Sequence, residues 1–112
     1  MSAAKKTIRV SELASARSGD KGNHANIGVV ARSEDAYEIL VSRLTAVRVQ
    51  DYFRELGVIR VERFELPKVQ ALNFLLYDAL GGGASRSLRI DTQGKLLGTA
   101  LLDLVLVVET DS

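Results

Sequence analysis

Hydrophobic and polar residues alternate with two different periods along this chain, and each change of period marks a new element. Ile8 and Val10 alternate with Arg9 and Ser11, the period-two pattern of a half-buried strand that ends near Leu13. Ile27, Val29 and Ala31 repeat it and predict a second strand from about Ala25 to Arg32. Between the two, Ser18-Gly19-Asp20-Lys21-Gly22-Asn23 is dense in turn formers and reads as a loop. The period then lengthens. Ser33 is placed to cap a helix whose first turn holds Glu34 and Asp35, where carboxylates favour the helix dipole. Ala36, Tyr37, Leu40, Val41 and Leu44 share one face of that helix. Thr45 is placed to cap a second helical segment carrying Val49, Tyr52, Phe53 and Leu56, and Gly57 stands where a helix-stopping glycine belongs.

The second half is less regular. Val58 to Leu66 reads as a third strand, but Ile59 and Val61 point one way while Phe64 and Leu66 point the other. That switch predicts a bulge near Glu62–Arg63 or an edge strand, ended by Pro67. Val69, Leu72, Leu76, Ala79 and Leu80 fit a helix stripe stopped by Gly81, although Phe74 and Leu75 leave a buried strand open. Leu88 and Ile90 alternate with polar neighbours, and Asp91-Thr92-Gln93-Gly94 suits a type I turn. Leu96 to Val108 fits either a strand or, through Leu97, Leu101 and Leu104, a helix; the tight turn before it favours a strand. The predicted order is β-β-α-β-α-β-β. That is a two-layer α+β sandwich, a mostly antiparallel sheet with helices on one face, related in outline to ferredoxin-like split βαβ folds.

Composition narrows the function classes. At 112 residues the chain makes one domain, 1–112, and 46% apolar with 26% charged residues is an ordinary globular balance. There is no Cys and a single His, His24, so disulfides, thiolate chemistry and His-cluster metal sites are excluded, and neither a metal nor a cofactor is expected. A net charge of +1, with three Phe and three Tyr, argues against nucleic acid. The polar N-terminus shows no secretory pattern, and the apolar stretch Leu96–Val108 is too short to span a bilayer and is interrupted by Asp103. A soluble, cytoplasmic chain without membrane contact is the expectation.

Two segments concentrate chemistry. Arg17 to Asn26 packs a carboxylate, an amine, a hydroxyl, two amides and an imidazole into ten residues. Gly19 and Gly22 let backbone N–H groups converge on an anion, to which Lys21 adds charge, and Ser18, Asp20, Asn23 and Asn26 complete the set. A turn alone would also use these residues, with Asp20 bonding the backbone ahead of it. Gly81, Gly82 and Gly83 followed by Ser85 and Arg86 offer exposed backbone beside a guanidinium, suited to phosphate or carboxylate, or simply end a helix. Asp20 and His24 are the candidate acid/base groups, with Ser18 or Asp20 as possible neighbours of His24.

These strings carry a family resemblance. Ala16-Arg17-Ser18-Gly19-Asp20-Lys21-Gly22-Asn23 with Ala25-Asn26-Ile27-Gly28-Val29 resembles the C-terminal domain of AtuA-type proteins, the acyclic terpene utilisation family. Ala71-Leu72-Asn73-Phe74, Ala79-Leu80-Gly81-Gly82-Gly83, Arg86-Ser87-Leu88-Arg89 and Gly94-Lys95 are similar to it in the same order, so the likeness runs from about Leu13 to Leu102. It implies a ferredoxin-like domain and a bacterial setting in catabolism of branched or terpenoid acids through CoA thioesters. AtuA-type proteins carry a much larger N-terminal domain that is missing here, which implies a small subunit working with a separate large AtuA-type chain.

Three functions follow as expectations. The first is a non-catalytic accessory or ligand-binding subunit whose loops 18–26 and 81–86 converge on an anionic small molecule or a partner. The second is a small enzyme acting on an acyl-CoA or carboxylate, with Asp20 or His24 as acid/base and Lys21 and Arg86 stabilising charge. The third is a self-assembly module built on the apolar C-terminal strand. A homo-oligomer, most simply a dimer, is expected because helices cover only one face of such a sheet.

Overall fold

Strict alternation builds the strand at the centre of the domain. In the computed structural model, which describes residues 4–21, 24–77 and 97–110, Ala25, Ile27 and Val29 of this strand are fully buried, while His24, Asn26 and Gly28 between them are only partly covered. The strand, β3 (His24–Ala31), pairs antiparallel with β2 (Ala14–Lys21) on one edge and β5 (Ala71–Leu76) on the other. The edge strand β4 (Val61–Leu66) pairs antiparallel with β5, giving a four-stranded sheet in the order β2-β3-β5-β4. β3 and β4 therefore run parallel with β5 between them, the split βαβ arrangement of a ferredoxin-like α+β fold. β1 (Ala4–Arg9) and β6 (Val105–Thr110) form a separate antiparallel ribbon.

Local signals set the helices. In α2 (Glu34–Arg43) the Ser33 hydroxyl accepts from the Ala36 N–H at 3.1 Å, and in α3 (Ala46–Tyr52) the Thr45 hydroxyl accepts from the Arg48 N–H at 3.1 Å. Each cap satisfies an orphan donor and stabilises its helix by about 1 kcal/mol. Gly57 closes the following 3₁₀ turn at φ 92°, a conformation that favours glycine. Leu40, Leu44, Val49 and Phe53 from this layer pack with Ile27, Val29, Leu72 and Phe74 of the sheet in one core. Arg63 ties the layers together: from the helix side of β4 its guanidinium donates to the carbonyls of Val41 at 2.8 Å and Leu44 at 3.1 Å, where α2 ends.

Four expectations are corrected. The strand predicted to reach Leu13 stops at Arg9 and gives way to one helical turn, α1 (Val10–Leu13), because Val10 and Leu13, three apart, both bury. The Glu12 carboxylate closes that turn by accepting from the Arg9 N–H at 2.9 Å. Residues 18–21, read as loop, continue β2, since pairing with the buried β3 outweighs the weak strand propensity of Gly, Asp and Ser. Where the helix stripe of Val69–Leu80 was expected, Ala71–Leu76 is β5, in which Leu72, Phe74 and Leu76 alternate with Asn73 and Leu75; a 3₁₀ turn, Pro67–Val69, precedes it, and Ala79 and Leu80 lie outside the described residues. Leu96–Val108 is not one strand. It contains a helix, α4 (Leu97–Leu102), that ends where the Leu104 N–H bonds the Leu101 carbonyl, before β6 begins. The parity switch of the third strand resolves as an edge strand, with Phe64 and Leu66 exposed. The expected strand and turn at 87–94 lie outside the described residues.

α4 sits directly on β2. A Cβ on Gly98 would come within 3.1 Å of the Arg17 carbonyl carbon and 3.2 Å of the Ser18 nitrogen, both main chain. The Ser18 hydroxyl accepts from the Gly98 N–H at 3.0 Å, so the same contact holds the helix N-terminus to the strand. Gly98→Ala is expected to destabilise the fold by about 1–3 kcal/mol through overpacking against backbone. Ser18→Ala should cost about 1 kcal/mol. The two effects should be non-additive because they act at one contact. Urea unfolding checks this, and a Gly98→Ala variant as stable as the parent would refute the close packing.

Candidate functional site

Strand alternation sorts the sheet into two faces. One face carries the helices. On the other, the pairings place residues in cross-strand rows: Ser15, Val30, Ala71 and Leu66; then Arg17, Gly28, Asn73 and Phe64; then Gly19, Asn26, Leu75 and Glu62. Among the described residues no helix covers these rows. Val30, Phe64 and Leu66 are 49%, 42% and 46% exposed, and a Cβ on Gly19 or Gly28 would meet nothing within 4 Å. In the middle the Asn26 amide donates to the Asn73 amide oxygen at 2.6 Å, diagonally across β3 and β5. Two glycines and an amide pair thus form a shallow polar trough bordered by apolar side chains.

A fourth row closes the hairpin end of this face. The register sets Lys21 opposite His24. The His24 ring meets the edge of the Tyr77 ring with centroids 5.1 Å apart. The Tyr77 N–H bonds the Arg60 carbonyl at 3.0 Å, and the Arg60 guanidinium lies 4.1 Å from the Tyr77 ring centroid, within range of a cation–π contact. The Tyr77 hydroxyl donates to the Glu62 carboxylate at 2.5 Å. That bond to Glu62, followed by desolvation and the carboxylate's charge, raises the Tyr77 pKa above its usual 10.0; Arg60 works in the opposite direction.

The sequence candidates distribute unevenly over this geometry. Gly19 and Asn26 are adjacent on the open face. Ser18 belongs to the helix-bearing face, where it holds Gly98, whereas His24 belongs to the open face, so Ser18 is not the neighbour of His24 that the sequence offered. Asp20 stands opposite Ala25 at the end of β2. Gly22, Asn23, Gly81, Gly82, Gly83, Ser85 and Arg86 lie outside the described residues, and so does the expected meeting of loops 18–26 and 81–86. The motif reading missed Arg17, Gly28 and Asn73 as face partners and the Arg60–Tyr77–Glu62 row. The signal for them is the alternation itself, Arg17-x-Gly19 against Asn26-x-Gly28, with Asn73 as the polar residue in an apolar run. Among the described residues no group of His, Asp and Glu side chains is arranged to hold a metal, and no helix is long and apolar enough to cross a membrane.

The family model described as the AtuA ferredoxin-like domain matches residues 8–107 of the 112-residue chain. Nothing matches among curated proteins or among solved structures.

The raised Tyr77 pKa sets a pH dependence. A proton held more tightly in the folded state stabilises the fold fully below the unfolded value of 10.0 and is lost as pH rises through the folded value. Stability should therefore fall with alkaline pH, and Tyr77→Phe should flatten that fall. Absorbance titration of the phenols should lose its late-ionising component in the same variant. An unchanged alkaline slope in Tyr77→Phe would disprove the coupling to Glu62.

Proposed function

Since the chain belongs to the AtuA ferredoxin-like domain family, we propose that it serves as a non-catalytic, ligand-binding accessory subunit in bacterial catabolism of terpenoid or branched acyl-CoA compounds. The observation behind this reading is the single row at the hairpin end of the sheet. Lys21 and His24 are opposite one another in the register, and Arg60 lies against Tyr77 beside them. A lysine in register with a histidine, and a guanidinium in the same row, suit a carboxylate or the phosphates of a CoA group. The family segment Ser18–Asn26 includes Lys21 and His24 of that row, and Tyr77, just past the end of β5, precedes Gly81–Arg86 in the sequence. We place the anion there, and a separate large AtuA-type chain as the partner that supplies the chemistry.

One observation favours a second reading, a small enzyme acting on the same acyl-CoA or carboxylate. The Tyr77–Glu62 hydrogen bond beside His24 assembles groups able to move a proton, with Asp20 or His24 as acid/base. Titration calorimetry with a branched acyl-CoA, its free carboxylate and inorganic phosphate tests both. Lys21→Ala and Arg60→Ala should each weaken binding, and the loss should shrink as salt is raised. Asp20→Asn, at a register position on the other side of β2, should leave both the melting temperature and binding nearly unchanged. If the Lys21 variant binds as the parent does, this row does not hold the anion. Thioester or carboxylate turnover that disappears in His24→Ala would replace the accessory reading with the enzymatic one.

A further inference from the structure

The face of the sheet that no helix covers among the described residues fits a second copy of itself. A twofold axis lying between two such faces, parallel to the strands, sets β2 over the partner's β4 and β3 over the partner's β5 while keeping every row at its own height. Gly28 then faces Asn73 of the partner subunit, Gly19 faces Glu62 of the partner subunit and Ala71 faces Val30 of the partner subunit, as the rows of the sheet dictate. Small residues oppose larger ones in each of these pairs, and the open space above Gly19 and Gly28 is what the larger partners need. In the two middle rows charge matches as well. Arg17 lies over Phe64 of the partner subunit and one row from Glu62 of the partner subunit, so a cation meets an aromatic face and a carboxylate. An axis perpendicular to the strands instead sets Gly28 over its own copy and Arg17 over its own copy, which loses both matches. We infer that this face is the interface of a homodimer whose axis runs parallel to the strands.

The exposed apolar side chains Val30, Phe64 and Leu66 become its dry part, and the Asn26–Asn73 pair stays internally hydrogen-bonded inside it. Four strands about 4.8 Å apart and about six residues long give a footprint of roughly 400 Å² per copy, so the dimer should dissociate on dilution. The same axis sets Lys21 over Arg60 of the partner subunit and His24 over Tyr77 of the partner subunit, so the two cationic rows face each other and an anion held between them would offset their repulsion. That last consequence rests on the ligand-binding reading; the interface does not.

Sedimentation of the full chain across a dilution series, without added ligand, gives the first test. A species of twice the 12.2 kDa chain mass is expected at high concentration, shifting to the single chain on dilution. Phe64→Arg, which sets two guanidiniums against each other across the axis, should shift the equilibrium fully to the single chain while circular dichroism stays unchanged. Because the chain has no cysteine, crosslinking provides a measurement independent of that variant. Ser15→Cys with Leu66→Cys should oxidise to disulfide-linked dimers, and Gly28→Cys alone should not. A single-chain mass at the highest concentration, a dimer indifferent to Phe64→Arg, or crosslinking through Gly28→Cys alone would each overturn the proposal. These readouts are taken without anion, so failure of the anion site leaves them unaffected.

Discussion

Strand β3 is hydrogen-bonded along both edges, and its residues Ala25, Ile27 and Val29 are sealed from water beneath the helices. With a side-chain period of two, a slip of one residue would expose all three and drive His24, Asn26 and Gly28 into the core. Burying Ile27 and Val29 stabilises by about 1.5–3 kcal/mol each, and an unpartnered buried amide costs on the order of 1–3 kcal/mol. The register is therefore held from both sides. That one constraint places Gly19 beside Asn26, Gly28 beside Asn73, and His24 beside Tyr77.

The helix layer reinforces the register at points far apart in sequence. Gly98 brings α4 onto β2 through the Ser18 hydroxyl, and Arg63 of β4 ends α2 by holding the Val41 and Leu44 carbonyls. Ser18 and Arg63 are polar residues on the apolar side of their strands, and each is there because a helix end needs a partner. The polar residues of the opposite face hold one another instead, Asn26 with Asn73 and Tyr77 with Glu62 and Arg60, and secure no helix end among the described contacts. The domain thus separates a face that holds the fold together from a face available for recognition.

The local parts of this arrangement were legible in the sequence and the long-range parts were not. Ser33, Thr45 and Gly57 act within a few residues of themselves, so their capping roles could be read from spacing alone. β2 was mistaken for a loop because Ser18, Gly19 and Asp20 are poor strand formers, and only β3 keeps them extended. β5 resembled a helix because Leu72 and Leu76, four apart, fit both periods, and its pairing with β3 spans more than forty residues. α4 depends on a contact with Ser18, 80 residues away, which no local window contains. The His24 row was invisible for the same reason: Arg60 and Tyr77 reach it only through the β4–β5 ladder.

The distribution of charge on the sheet decides how such a domain can associate. Its two edges are guarded. β2 carries Arg17, Asp20 and Lys21 along its length, and β4 carries Glu62, Arg63 and Glu65 before Pro67 removes a donor just past its end. Charges along an edge strand deter another chain from extending the sheet. The broad face between them carries Arg17 and Glu62 in its middle rows and Arg60 and His24 at its hairpin end, and leaves Val30, Phe64 and Leu66 exposed among the described residues. Edge addition would also gain only backbone hydrogen bonds, worth little net against those to water, whereas stacking the faces removes apolar surface from solvent. The physical bias of the molecule is therefore towards contact through the face, with the cationic row left at its mouth.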